Sequence, residues 1–373
     1  MDNKKKLLFV IPNLKHGGAE KVLVNLVNNL NPDKYDISLF SIFDVGVNKQ
    51  FLKPHIHYRY FFKYLFRGNV TLFNLFSPEF LYKRIIKHRY DIVISYLEGP
   101  ATRIVSACPY TGSKKIAWVH TDFENESIVL ECYRSLDDAK KHYEKFDRIV
   151  AVSKRVKEAF SELITAQIPI DVLYNTNETE QIIEKGKEPS ELAYKGIKIC
   201  SAGKVTDNKG FDRLLDVHKR LIDEGFPHHI YILGVGNEQE ALEKKARELG
   251  VSDSFHFLGF HKNPYRYVSK CDLYVCSSFR EGFSTAVTEA LILGVPAVST
   301  NCSGATELLG ENNEYGIVCE NSTEGIYQGM KQMLSQPGLL EHYKKQAELR
   351  GSFFSKKNTV KAVENLLDSL SNG

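Results

Sequence analysis

Short apolar runs alternate along the chain with stretches whose apolar residues recur at helical spacing. Leu7–Ile11 is apolar without a break, the pattern of a strand buried on both faces. A glycine-containing turn follows, then AEKVLVNLVNNL, with its apolar positions on one helical face. YDISLFS, YDIVISYL, KKIAWVH and DRIVAVS are further short β-rich runs, each closed by a polar turn. Strands and helices in this alternation predict a parallel sheet covered by helices. The rhythm stops in a charged segment, Glu178–Lys195, which reads as a loose inter-domain linker. It restarts with IKICSAG, HIYILGVG, SFHFLGF, CDLYVCSS, PAVSTN and YGIVCE. The expected architecture is therefore α/β, with two Rossmann-like, doubly wound domains over residues 1–177 and 178–354. SKKNTVKAVENLLDSL is helical in pattern, and a helix over 355–373 is expected to cross back onto the first domain.

Composition narrows the class. A chain of 373 residues suits two domains better than one core. With 43% hydrophobic and 25% charged residues it has the balance of a globular enzyme. A net charge of +3 gives no global pull toward nucleic acid. The seven cysteines are Cys108, Cys132, Cys200, Cys271, Cys276, Cys302 and Cys319. They form no C-x-x-C pair and most lie in apolar runs, so reduced, buried thiols in a reducing compartment are expected, not a disulfide framework. The opening MDNKKKLLFVIPNL places a basic run before an apolar one, but Pro12 ends the apolar part too soon for a signal peptide. No run reaches the roughly 18 apolar residues of a membrane span. Without a secretory route, Asn69-Val70-Thr71 is a chance glycosylation triplet. No short-period repeat is present.

Four turns carry candidate chemistry. In NLKHGGAEK, Gly17 and Gly18 lie between a strand and a helix, where backbone can approach a ligand and free N–H groups face an anion. A plain tight turn explains these residues equally well. The spacing is not G-x-G-x-x-G, and no acid ends the second strand, which disfavours a nicotinamide dehydrogenase. In ILGVGNEQEALEKKA, Gly234 and Gly236 fit a structural turn better than a ligand loop. CSAGKVTDNKGFDRLL places Lys204 and Lys209 after a strand ending at Ala202. Two cations there can clamp a diphosphate that gains charge as it departs; otherwise they are solvated lysines. The carboxyl end of a strand favours the clamp.

The fourth turn is REGFSTAVTEALILGVPAVS, Arg280–Ser299. Gly282 permits unusual dihedrals, Ser284 and Thr285 suit an N-cap, and Gly294 and Pro296 end the helix. Loop and first-turn N–H groups form an anion and hydroxyl site. Glu281, in the loop, can accept sugar hydroxyls. Glu289, on the helix, can accept both hydroxyls of a vicinal diol.

EGFSTAVTE resembles the E-x7-E motif of family 4 retaining glycosyltransferases of the GT-B fold. The similarity extends through GVPAVSTNCSGATELL and YGIVCE, and back through FHFLGFHKNPYRYVSKCDLYVCSS. IPNLKHGGAEK, AWVHTD, IVAVSKRVKE and VLYNTNE carry it through the first half. It is strongest at residues 200–320 and weakest at 45–90 and 122–145.

The resemblance implies two domains facing each other across a cleft, and a set of roles. Glu289 binds the nucleotide ribose, and Glu281 sits beside the donor sugar. Gly282, Phe283, Ser284 and Thr285 contact sugar and diphosphate through backbone groups. Lys204 and Lys209 neutralise the diphosphate; Lys204 stands where the family usually has Arg, so a fork becomes a point charge. Gly17 and Gly18 approach the phosphates, and Gly236 joins the donor-binding set. His120 lies at the sugar–acceptor junction, a position that a structural histidine also explains. Phe260, in FHK, belongs to the base-reading loop. Glu281, His120 and Lys209 are the expected catalytic residues. Same-face substitution retains configuration, with the leaving phosphate taking the acceptor's proton. No D-x-D motif occurs in a strand-end loop, since Asp137-Asp138 is in a helical pattern, so no metal or other cofactor is expected. A UDP-sugar is the favoured donor, on family frequency.

Residues 51–90 are rich in Lys, Arg and aromatics, with Glu79 the only acid. This composition suits an anionic membrane surface, and a lipid-diphosphate-linked or glycan acceptor with it. A solvated helical face over buried aromatics is the bland alternative. Single-stranded nucleic acid is disfavoured because stacking grooves are built on other folds. His55 and His57 lack further metal ligands. The expected localisation is cytoplasmic, peripheral on the inner face of the cell membrane, in assembly of a surface polysaccharide or glycolipid. Two alternatives stand beside this reading: a GT-B synthase acting on a small soluble acceptor, and a non-catalytic nucleotide-sugar-binding scaffold.

Overall fold

The computed structural model describes residues 4–15, 17–67, 76–122, 129–130 and 133–370. His16, the Asn69 triplet, Cys132 and part of the basic aromatic stretch lie outside them. The chain forms two compact units, one of Met1–Thr176 with Lys357–Gly373, the other of Asn177–Lys356.

The N-terminal unit holds β1 (Lys5–Ile11), β2 (Tyr35–Phe43), β3 (His57–Phe62), β4 (Ile92–Ser95), β5 (Lys114–Val119), β6 (Arg148–Ala151) and β7 (Ile170–Val172). They form one sheet in the order β3-β2-β1-β4-β5-β6-β7. Every pairing in it is parallel. The C-terminal unit holds β8 (Ile197–Ala202), β9 (His228–Leu233), β10 (Phe255–Gly259), β11 (Leu273–Cys276), β12 (Ala297–Thr300) and β13 (Ile317–Cys319), in the order β10-β9-β8-β11-β12-β13. These pairings are parallel too. Central strands are buried on both faces, which is why Leu7–Ile11 and Leu273–Cys276 read as unbroken apolar runs.

Parallel strands need crossovers, and the amphipathic stretches supply them. Phe211–Asp223 is a helix whose Phe211, Leu214, Leu215 and Leu221 bury against the second sheet. All of the helix Lys356–Ser369 but its first residue belongs to the N-terminal unit. It buries Val363 and Leu367, and Asp368 accepts the Tyr35 hydroxyl (2.8 Å) and pairs with Lys5 (3.2 Å).

In each sheet the strand order reverses beside the first strand, between β1 and β4 and between β8 and β11. At such a reversal the strands' carboxyl ends are the usual ligand position in doubly wound sheets.

Glu178–Lys195 differs from a loose linker. Thr179–Gly186 is a helix. Ile182 buries with Tyr265 and Ile292, and Ser269 Oγ donates to the Gly186 carbonyl (2.6 Å). One buried isoleucine is enough to dock a short charged helix once a tertiary partner exists. Among the described residues no helix is long and apolar enough to cross a membrane. The six described cysteines are free thiols, four of them buried.

Candidate active site

In the C-terminal unit the loop after β11 bends into the helix Thr285–Ile292, with Ser284 as N-cap accepting the Val287 N–H (3.4 Å). Glu281 hangs from this loop. Its Oε1 accepts Lys209 Nζ at 2.6 Å and Ser278 Oγ at 2.7 Å. The pair is 24% and 16% exposed, so it is shielded more than a surface ion pair. Burial alone would lower the Lys209 pKa, but the Glu281 carboxylate overrides burial and holds it above its ordinary value. The result is a fixed cation beside a fixed carboxylate at the switch between β8 and β11. Glu289, on the helix, accepts the Tyr265 hydroxyl (3.1 Å).

The loop is held from behind. Arg213 Nη2 donates to the Ser277 carbonyl (2.5 Å) and Nη1 to Asn321 Oδ1 (3.0 Å), while its guanidinium lies 3.6 Å from the Phe279 ring centre. Asn321 donates to the Phe279 carbonyl and Asn208 to the Arg280 carbonyl. Thr300 Oγ1 donates to the Ser278 carbonyl (2.7 Å). Gly210 makes the approach of the two loops feasible: its φ is +59°, and a Cβ would sit 2.2 Å from the Ser277 carbonyl oxygen.

The remaining expected donor residues fall into three kinds. Lys204 is exposed, without an ion pair among the described residues. Phe260 is 60% exposed at the end of β10. Phe283 instead is buried against Phe354, so only its backbone faces the loop. Thr285 begins the helix, half-buried. Gly282 does not use the left-handed region, contrary to the expectation of unusual dihedrals. A Cβ on Gly236 would meet the Val205 carbonyl at 1.9 Å, and this backbone packing accounts for the glycine without a ligand.

In the N-terminal unit, Gly17 caps the helix Gly18–Asn29 with an ordinary φ of −124°. The space a Cβ would take there holds the Glu20 carboxylate, 1.8 Å away. Glu20 thus occupies the helix N-terminus that the glycine turn would offer to phosphate, and burial raises its pKa despite the local N–H and Lys15.

His120 follows β5. Burial lowers its pKa to about 3, so the imidazole is neutral at physiological pH, and its Nε2 is buried without a hydrogen-bond partner among the described residues. Tyr96 packs on the ring at 4.7 Å. Glu98, after β4, accepts the N–H groups of His120 (2.5 Å) and Thr121 (2.7 Å). Burial raises the Glu98 pKa even against those donors.

Three of these residues were not singled out from sequence. Arg213 stands inside the apolar stripe of its helix, a polar residue at a core position, and that is a readable signal. Glu98 and Glu20 give none beyond lying after a strand and a glycine turn.

Two family models match in tandem: Glycosyltransferase Family 4 over residues 16–181, and Glycosyl transferases group 1 over residues 182–350. The chain belongs to the family 4-type glycosyltransferases of GT-B fold. The glycosyltransferase is 27% identical over 369 residues to a Campylobacter jejuni protein named N-acetylgalactosamine-N,N'-diacetylbacillosaminyl-diphospho-undecaprenol 4-alpha-N-acetylgalactosaminyltransferase, covering 94% of this chain and 96% of that one. Anabaena HepE, solved with UDP and glucose, superposes with a TM-score of 0.78 at 19% identity, over 98% of this chain and 100% of its own. A sucrose-phosphate synthase from Thermosynechococcus elongatus superposes equally well, with a TM-score of 0.78 at 14% identity, over 99% and 100%. Fold likeness therefore does not separate acceptor classes.

Proposed function

We propose that this glycosyltransferase moves a sugar from a UDP-sugar to a lipid-diphosphate-linked acceptor, with retention of configuration and without a metal ion, in assembly of a surface polysaccharide or glycolipid. The observation that carries the reading is the Lys209–Glu281 pair at the carboxyl end of the central strands, one element away from Glu289. Lys209, Lys204 and the N-terminus of the helix Thr285–Ile292 would supply the positive field for a departing diphosphate. Glu281 would hold the sugar and Glu289 the ribose diol.

The bond from the anomeric carbon to the phosphate oxygen breaks as the acceptor hydroxyl adds on the same face. The hydroxyl proton goes to the departing phosphate oxygen. A neutral His120 suits this chemistry, because a hydroxyl needs a hydrogen-bonding partner there and not a charge. UDP is favoured by the UDP complex of the Anabaena neighbour, and a lipid-linked acceptor by the name of the Campylobacter relative.

The test is nucleotide release from UDP-, GDP- and ADP-sugars without divalent metal, comparing the native chain with Glu281→Ala and Glu289→Ala. Slow hydrolysis of one donor, lost in both variants, is expected. Tight binding of a donor with no turnover in the presence of lipid-linked acceptors would leave a binding scaffold instead. We also propose attachment to an anionic membrane through the basic aromatic stretch, where Phe51, Tyr64 and Phe80 are more than half exposed. Failure to float with anionic liposomes at low salt would remove this part.

A further inference from the structure

The N-terminal unit contains a cavity of about 440 Å³ that involves none of the candidate site residues. One side is the edge strand β3, with Arg59, Tyr60 and Phe61. The other is Arg84, Lys87 and His88, at and just after the end of the helix Pro78–Ile85. Arg59 is in register with Phe40, in the middle of β2. The helix ends where the strands begin, since Asp91 beyond it accepts the Lys6 N–H at the start of β1. Gly17 and His120, by contrast, follow strand carboxyl ends.

Among the described residues no carboxylate lines the cavity. The acids on surrounding elements already hold other groups. Asp36 faces His57 at 3.2 Å, Asp44 takes Lys49 at 2.8 Å, and Glu79 lies 3.8 Å from Lys145. Arg59, Arg84 and Lys87 are exposed and make no ion pair among the described residues. Three permanent cations around one concavity repel one another, and an anion relieves the repulsion. Arginine forks match the oxygens of a phosphate. The volume falls within the roughly 300–1,000 Å³ of small-molecule sites. Tyr60 and Phe61 stand exposed at its lip, side chains suited to the boundary between water and acyl chains.

We infer that this cavity binds the phosphate of an anionic lipid headgroup. The inference rests on the membrane attachment proposed above and sharpens it, from a charged surface to a site of defined residues. Free phosphate shares the chemistry, so the experiment separates the two sources.

The full chain is titrated calorimetrically with short-chain phosphatidic acid and with inorganic pyrophosphate, and sedimented with phosphatidylcholine vesicles with or without phosphatidylglycerol. Arg84→Gln/Lys87→Gln removes two cavity cations. Lys53→Gln/Lys63→Gln removes two exposed cations of the same stretch outside it. The expected result is saturable binding of phosphatidic acid, weakened about thirtyfold (about 2 kcal/mol) in the cavity variant and little changed in the other. Pyrophosphate binding as tightly as phosphatidic acid would keep the phosphate site but overturn the lipid as its source. Absence of saturable binding, or equal loss in both variants, would overturn the site. Vesicle sedimentation reads membrane attachment separately: attachment with equal loss in both variants leaves a diffuse contact, and no attachment removes the membrane reading.

Discussion

The carboxyl ends of the two sheets are alike in topology and opposite in electrostatics. After β11, charge is paired and fixed: Lys209 lies on Glu281, with Ser278 donating to the same oxygen. After β4 and β5, burial disfavours charge: it lowers the pKa of His120 to about 3 and raises that of Glu98. On the proposed reading, the first suits a ligand whose charge grows during reaction and the second a ligand that stays neutral. The same strand order thus sets where a site lies and leaves its chemistry to a few loop residues.

The largest test of this contrast is to unpair the charged end. Lys209→Ala and Glu281→Ala are each expected to lower sugar transfer by about a hundredfold to a thousandfold, as loss of a preorganised charge partner does. The double variant should be little worse than either single one, because the two act as a unit. Additive losses in steady-state kinetics would break the pairing.

Next is the neutral end. Glu98→Ala is expected to cost roughly tenfold in kcat or more, since two backbone N–H groups lose their acceptor. Glu98→Gln should restore most of it, because an amide oxygen accepts the same hydrogen bonds. If Gln is as damaging as Ala, the carboxylate acts by its charge and the contrast fails.

A smaller effect is expected at the glycine turn. Glu20→Gln removes an anion from the helix N-terminus and should tighten UDP binding severalfold, by the roughly 0.3–1 kcal/mol that such a terminus gives an anion. Unchanged affinity by calorimetry would place the turn outside the nucleotide site. Smallest in activity is the cap. Ser284→Ala should lower stability by about 0.5–2 kcal/mol in denaturant unfolding.

Acid stability provides a check that needs no ligand. The folded pKa of His120 lies near 3, below the unfolded value of about 6.5. Its neutral form therefore contributes stability above pH 6.5 that is lost as pH falls toward 3. His218, also buried and lowered to about 3, acts in the same direction in the other unit. Glu98 has the opposite sign, since its raised pKa gives stability at low pH that is lost as pH rises. His120→Asn should flatten the acid limb of unfolding free energy against pH; an unchanged slope would mean that the imidazole is not held neutral.

Much of this was readable from residue order. Unbroken apolar runs marked the central strands, and Lys209, Glu281 and Glu289 marked the charged end, because each lies shortly after its own strand, Lys209 and Glu281 before the helix that follows and Glu289 just over one turn into it. Glu98 was not readable. Its role depends on contact with backbone groups more than twenty residues later, and on burial that only the assembled sheet provides. Glu20 was hidden differently: an acid in a first turn is ordinary helix chemistry, and only the packing against Gly17 shows that it fills the anion position. The helix Thr179–Gly186 was missed because its charged surface outweighs Ile182 in any local count.

The helix Lys356–Ser369 has a consequence for how the molecule is made. Its anchors are Lys5, Lys34 and Tyr35, residues that leave the ribosome long before it. At about 5–20 residues per second, the helix emerges roughly ten to forty seconds after Thr176. Throughout that interval the first sheet exists without the side chains that complete its surface, while the second can close from a continuous stretch. A later-made segment thus seals an earlier-made unit, and a ribosome that stalls before the helix leaves that unit unfinished.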